Sequence, residues 1–153
     1  ECILDGITDI LINENQSYQF HGDFILENII KVNSGYKLID WRERFGDNLV
    51  DGDIYYDLAK LRHNLYVNHE NILNKLYNVT IVDDNVYIDL KCNYKNIIQI
   101  QDFDNFILKH NLNLEKIKLL TSLIWINMSP LHDKEFGIFL YFFGLYNINI
   151  CYK

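Results

Sequence analysis

Apolar and polar positions alternate with two different periods along the chain. Asn28 to Val32 and Tyr36 to Asp40 read as two strands around Asn33-Ser34-Gly35, a three-residue hairpin loop whose glycine supplies a positive φ. With Ser34 at the loop centre, Val32 is predicted to face Tyr36, Ile30 to face Leu38, and Asn28 to face Asp40. A polar, glycine-containing loop follows, from Arg42 to Gly52. Asp53 then reads as a helix N-cap, and Ile54, Leu58, Leu61 and Leu65 define one apolar stripe at helical spacing. A second amphipathic segment is predicted over His69–Tyr77, and a second hairpin over Val79–Leu90 around Asp84-Asn85. The last third carries helical periodicity over 94–110, 114–128 and 133–146, with Pro130 ending the middle helix and Asp133 capping the last. The lead-in, residues 1–20, shows a helical turn near Ile7–Leu11 and an extended stretch at Tyr18–Phe20. The predicted class is α+β, mainly helical, in a single domain over 1–153.

Composition narrows the function classes. Aromatics make up 14% and hydrophobic residues 49% of the 153 residues, enough apolar material for a core. The 21 acidic residues against 14 basic ones leave a net charge of -7. That balance argues against a nucleic-acid partner, which needs a basic face to neutralise phosphates, and suits, weakly, a cationic substrate. Cys2, Cys92 and Cys151 are far apart and make no C-x-x-C pair, so three free thiols in a cytoplasmic protein are expected. The longest uncharged stretch, Phe136 to Tyr152, carries Gly137, Gly144, Asn147 and Asn149 and falls short of a membrane span, so no membrane partner is expected. The chain opens on Glu1, and Met128 is its only methionine, so a piece of a longer or processed polypeptide is expected.

Chemistry concentrates between Phe20 and Leu61. The predicted hairpin brings the Asn28 amide and the Asp40 carboxylate together at its open end. Such an oxygen pair suits Mg²⁺, which keeps waters and substrate phosphates in its remaining positions. Just upstream, His21-Gly22-Asp23 places a carboxylate on the loop leading into the hairpin, where a general base or a group orienting a hydroxyl is expected. Asp57 sits at the edge of an apolar stripe and so needs partners such as backbone N–H groups or His21.

Three blocks in order carry a family resemblance: His21-Gly22-Asp23-x-x-x-x-Asn28, then Leu38-Ile39-Asp40-Trp41, then Gly52-Asp53-Ile54-Tyr55-Tyr56-Asp57-Leu58-Ala59. This arrangement resembles the aminoglycoside phosphotransferase and choline kinase group of the protein-kinase-like superfamily. The resemblance implies a C-terminal lobe with a catalytic-loop β-hairpin, and ATP- and Mg²⁺-dependent transfer of a γ-phosphoryl group to a hydroxyl of a small molecule: an amino alcohol, an aminoglycoside or a sugar. It implies that Asp23 handles the proton of the attacking hydroxyl and that His21 supports the catalytic loop from behind. Asn28 and Asp40 would hold the metal against the phosphates, and Asp57 would brace the loop. No glycine-rich phosphate loop or strand lysine fits into the twenty residues before His21. The nucleotide lobe is therefore expected in cis or from another chain. A non-catalytic kinase-like binding or scaffold module is the competing expectation.

Other residues have plainer expectations. His63, His69, His110 and His132 read as helix-surface or helix-end residues. Trp41, Tyr55, Tyr56 and Trp125 could box a quaternary ammonium group but are expected in the core. Phe139, Phe142 and Phe143 are expected in the core as well. Glu43, Asp47, Asp51 and Asp53 are expected on a solvated loop.

Overall fold

The computed structural model describes residues 10–11, 17–44, 46–47 and 51–151. Most of the helical turn expected near Ile7–Leu11 lies outside the described residues, as do Cys2 and the Cys151 side chain; Ile10 and Leu11 are helical. The fold is α+β and mainly helical. In chain order it runs β1 (Ser17–Gln19), a 3-10 turn (Leu26–Asn28), β2 (Ile29–Val32), β3 (Gly35–Leu38), β4 (Asp51–Asp53), α1 (Ile54–Tyr66) and α2 (His69–Leu73). It continues with β5 (Tyr77–Val82), β6 (Asn85–Leu90), α3 (Tyr94–Lys109), α4 (Leu114–Met128), a 3-10 turn (Ser129–Leu131) and α5 (Lys134–Cys151). Among the described residues the strands form three antiparallel pairs, β1 with β4, β2 with β3, and β5 with β6.

Each of the helices α1 to α5 opens on an Asp or Asn whose side chain accepts a backbone N–H of the first turn. The caps are Asp53, Asn68, Asn93, Asn113 and Asp133. Each satisfies an N–H that has no partner within the helix, which sets the start of the element locally. Asn68 and Asn71 do so reciprocally.

Four expectations need correction. The β2–β3 register pairs Ile29 with Leu38, Ile30 with Lys37, Lys31 with Tyr36 and Val32 with Gly35. The turn uses only Asn33-Ser34, and Gly35, at φ +139, opens the return strand instead of closing the loop. Every partner is thereby shifted by one residue. The helix predicted over His69–Tyr77 stops at Leu73. Lys75 takes a positive φ and Tyr77 enters β5, where its ring packs 4.9 Å from Phe136 and 5.0 Å from Phe139, so core packing overrides the helical pattern. The second hairpin turns at Asp83-Asp84, with Asp83 at φ +52, one position earlier than predicted. Helix α5 runs on past residue 146, to Cys151, and within it Asn147 and Asn149 donate their side-chain amides to the carbonyls of Phe143 and Leu145 one turn back.

Two apolar clusters hold the helices. Val67, Tyr77, Trp125, Phe136, Phe139, Leu140 and Phe143 form one, beneath the β5–β6 hairpin and between α4 and α5. Tyr55, Ala59, Ile107, Ile117 and Ile124 form the other, where α1, α3 and α4 meet. The stripe predicted for α1 is only partly the buried face. Leu65 is buried, but Ile54, Leu58 and Leu61 border an open apolar groove beside Phe103 and Phe106 of α3. Polar residues of α1 are enclosed instead: Asp57, Lys60, Arg62, His63 and Asn64. Of the four aromatics, Tyr55 and Trp125 are core, Tyr56 is half-buried, and Trp41 is exposed against the expectation. Phe139 and Phe143 are buried and Phe142 is half-buried. No helix among the described residues is long and apolar enough to cross a membrane.

Candidate active site

The segment from His21 to Glu27 lies along α1, and three residues of that helix grip it in order. The Asp57 carboxylate accepts the backbone N–H groups of His21 at 2.7 Å and Gly22 at 2.8 Å. One turn on, the Lys60 ammonium pairs with Asp23 Oδ1 at 2.7 Å. A further turn on, Asn64 accepts the Leu26 N–H through Oδ1 and donates through Nδ2 to Glu27 Oε2, both at 3.0 Å. Positions 57, 60 and 64 stand at i, i+3 and i+7, so they share one helix face. All three are buried, which makes their hydrogen bonds costly to lose.

The loop is also fixed by its own turn. Gly22 takes φ +81, and a Cβ there would meet Arg42 Cβ and Cγ at 2.6 Å. Only glycine fits that turn. The buried His21 ring stands at the back of it. Its Nδ1 accepts the Asp23 N–H at 3.3 Å, so its Nε2 carries the proton and donates to the Ile39 carbonyl at 2.9 Å. Arg42 N–H returns the connection by donating to the His21 carbonyl at 2.9 Å. Trp41, in between, lays its ring 4.7 Å from the His21 ring.

These ties decide what becomes of the two residues predicted to hold metal. Asn28 is buried, and its Nδ2 donates to the Asp23 carbonyl at 2.9 Å, which leaves Oδ1 as its acceptor oxygen. Its backbone carbonyl accepts from Ile39 N–H at 3.1 Å, so the partner of Asn28 across the hairpin is Ile39 and not Asp40. Asp40 is the next residue, exposed and at φ +60. The direct cross-strand pairing of amide and carboxylate is therefore wrong by one residue. Ile39, bonded at once to Asn28 and to His21, holds the backbone preceding Asp40 against the loop. A positive φ is tolerated by Asp better than by most residues, and such outliers gather at functional positions. Among the described residues, no three His, Cys, Asp or Glu side chains converge as a metal site. An amide oxygen with a single exposed carboxylate still fits Mg²⁺, whose other positions go to phosphate and water.

Asp23 opens onto a cavity of about 630 Å³ between the loop, α1, α4 and α5. Tyr56, Lys60 and His63 of α1 line it at i, i+4 and i+7, with Val67 just past the helix end and Ile124, Met128 and Leu140 opposite. His21, Asn28, Asp40 and Asp57 are not on its wall. His63 overturns the surface expectation: it is only 6% exposed, and its Nδ1 has no hydrogen-bond partner. Burial, reinforced by the nearby Lys60 cation, pushes its pKa down to about 3, so the ring is neutral near pH 7. Burial also raises the Tyr56 phenol above its ordinary value; Arg42 opposes this and the Asp23 and Asp57 carboxylates add to it. His69, His110 and His132 are exposed, as expected. Of the acidic set, Glu43 and Asp47 are exposed, whereas Asp53 caps α1 and lies 3.5 Å from the buried Lys116. Cys92 is a free thiol.

Lys60, Asn64 and His63 are functional candidates that pattern reading of the sequence missed. A signal existed for the first two: Asp57, Lys60 and Asn64 make a polar stripe at helical spacing within α1. Nothing local marks His63. Compared with family models, curated proteins and solved structures, the chain matches none.

Proposed function

We propose that this chain is the hydroxyl-handling part of an ATP- and Mg²⁺-dependent phosphotransferase, the C-terminal lobe of a protein-kinase-like enzyme that acts on a small molecule. One observation carries the reading: the loop bearing Asp23 is held by Asp57 through two adjacent backbone N–H groups, and Asp23 stands at the mouth of a ligand-sized cavity. A buried carboxylate spent on loop backbone rather than on solvent keeps that loop in one conformation, as positioning catalysis requires.

In this reading Asp23 orients the acceptor hydroxyl and takes its proton. Lys60 occupies Oδ1, so Oδ2 is the oxygen that meets the hydroxyl. His21 keeps the loop and the Ile39–Arg42 strand exit in register with each other. Asn28, through Oδ1, and Asp40 are the residues that would hold Mg²⁺. Mg-ATP, when bound, supplies the phosphoryl group and neutralises its charge.

The alternative is a non-catalytic kinase-like binding module. It is favoured by the offset between Asn28 and Asp40 and by the lone carboxylate in the metal set. Calorimetric titration of Mg-ATP into the longest polypeptide carrying this sequence separates the two. Phosphotransfer requires heat of binding that Asp40→Ala removes, and transfer that Asp23→Asn lowers at least a hundredfold. Equal heats from the parent and Asp40→Ala would establish the binding module.

A further inference from the structure

Positive charge is spent unevenly along the polar wall of the cavity. Lys60 is given to Asp23, 2.7 Å away, and both side chains are largely enclosed. Arg42 lines the same cavity but is exposed, and among the described residues its guanidinium makes neither an ion pair nor a hydrogen bond. The other acid on the wall, Glu27, does not answer it. Glu27 accepts from Asn64, about 10 Å along α1 from Asp57, whereas Arg42 is tied to His21 at the Asp57 end.

The stem of Arg42 is held although its charge is not. Its N–H donates to the His21 carbonyl at 2.9 Å, and its Cβ and Cγ pack so closely on Gly22 that an added Cβ would lie 2.6 Å from both. The stem thus rests on the residue before Asp23, which leaves the guanidinium end as the exposed part. The Tyr56 phenol, on the cavity wall, feels both the Arg42 cation and the Asp23 carboxylate, so the two charges share one end of the cavity. From α4 the cavity receives Leu120, Leu123, Ile124 and Met128, an apolar stripe that suits the body of an acceptor. The Arg42 end suits an oxyanion instead. A guanidinium presents five N–H donors in a fork that matches phosphate oxygens. Asn28 and Asp40 offer a metal a single carboxylate, and one Mg²⁺ leaves a triphosphate anionic where it meets Asp23.

We propose that Arg42 is a catalytic residue of the transfer, binding the oxygens of the γ-phosphoryl group as it passes to the hydroxyl aligned by Asp23. The inference rests on the phosphotransferase reading and adds the cation that the metal set lacks. Asp23 Oδ2 takes the hydroxyl proton as the hydroxyl oxygen forms its bond to the γ-phosphorus. The bond from that phosphorus to the bridging oxygen breaks, and ADP leaves with the electron pair. Arg42 donates N–H groups to the peripheral phosphoryl oxygens, over which the charge is spread in the transition state.

The test uses the longest polypeptide carrying this sequence. Transfer from Mg-ATP is measured to choline, kanamycin, D-glucose and water. Mg-ADP binding is measured by calorimetry with and without aluminium fluoride, which mimics the phosphoryl group in flight. Arg42→Gln keeps the packed stem and removes the charge. It is expected to lower kcat at least about a hundredfold with the acceptor KM unchanged, and to abolish the fluoride-dependent gain in ADP affinity. Arg42→Lys, which keeps the charge without the fork, should recover at least about tenfold of that loss. Both variants should keep the parental circular dichroism and urea midpoint. Parental kcat in Arg42→Gln, or a fluoride gain that survives it, overturns the inference and keeps the phosphotransferase reading. So does a raised acceptor KM at constant kcat, which would assign Arg42 to an acceptor carboxylate, and so does a urea midpoint that falls in step with activity. A parent that neither transfers phosphoryl nor binds Mg-ADP overturns the phosphotransferase reading itself, and this inference with it.

Discussion

The side of α1 that grips the His21–Glu27 loop and the region between α4 and α5 are both buried, yet they are held by opposite means. Between α4, α5 and the β5–β6 hairpin the enclosed groups are rings: Trp125 lies 4.5 Å from Phe143, and Phe139 stacks 5.2 Å from Phe143. On α1, Tyr55 and Ala59 join an apolar cluster, but the helix also encloses a carboxylate, an ammonium, a guanidinium, an imidazole and an amide. Arg62 even makes a two-pronged pair with Asp104 of α3, at 2.9 and 3.1 Å. Apolar burial is non-directional and scales with area, so the ring cluster stabilises without fixing any one atom. Hydrogen bonds contribute little net stability but are costly to leave unmade, so the polar stripe specifies positions. The molecule thus separates stability from placement. The residues that would do chemistry belong to the part that specifies.

Three changes can sharpen or break that contrast. The largest effect is expected from Phe139→Ala in the ring cluster, about 4 kcal/mol in urea unfolding. The His21 proton should nevertheless stay on Nε2, as imidazole ¹⁵N shifts would report. Loss of that tautomer in the folded variant would show that the two regions are not independently held.

Next comes acid sensitivity at His63, where the two regions meet at the cavity. Its pKa is about 3 when folded and near 6.5 when unfolded, so the unfolded chain binds the extra proton between those values. Its share of stability is therefore complete above about pH 6.5 and is lost as pH falls toward 3, at about 1.4 kcal/mol per pH unit. Urea unfolding from pH 7 to pH 4 should show this slope, and His63→Leu should flatten it. An unchanged slope in that variant would mean that His63 is not enclosed as described.

Asp57→Ala is expected to cost somewhat less, about 3 kcal/mol, by leaving the His21 and Gly22 N–H groups buried without an acceptor. Hydrogen exchange at those two amides should rise, while amides in α5 keep their protection relative to the new global stability. Asp57→Asn, which retains one acceptor oxygen, should fall between the two. If α5 loosened as much as the loop, the brace would be an ordinary part of the core.

Much of this was legible in the chain itself. Helix starts were, because a capping Asp or Asn acts on N–H groups two or three residues away, as Asp53 and Asp133 do. The order His21-Gly22-Asp23, Asn28, Asp40, Asp57 also singled out the region where α1 meets the loop, since Asp57 near an apolar stripe demanded buried partners. The hairpin register was not legible, because a turn of two residues and a loop of three differ only in whether Gly35 is spent in the turn or in the strand. Tyr77 was misread for a related reason: its helical spacing was genuine, but the pocket offered by Phe136 and Phe139 lies almost sixty residues downstream.

Local chemistry, then, decided where the elements begin, which segments are helices and which residue types could handle a proton or a cation, because caps, periodicity and turn residues act over a few positions. Tertiary packing alone decided that Lys60 meets Asp23, that Asn28 faces Ile39, and that His63 is enclosed with a nitrogen unspent. Those outcomes depend on which helix face the loop and α4 come to cover, and burial is a property of the assembled neighbours, not of any one stretch of chain.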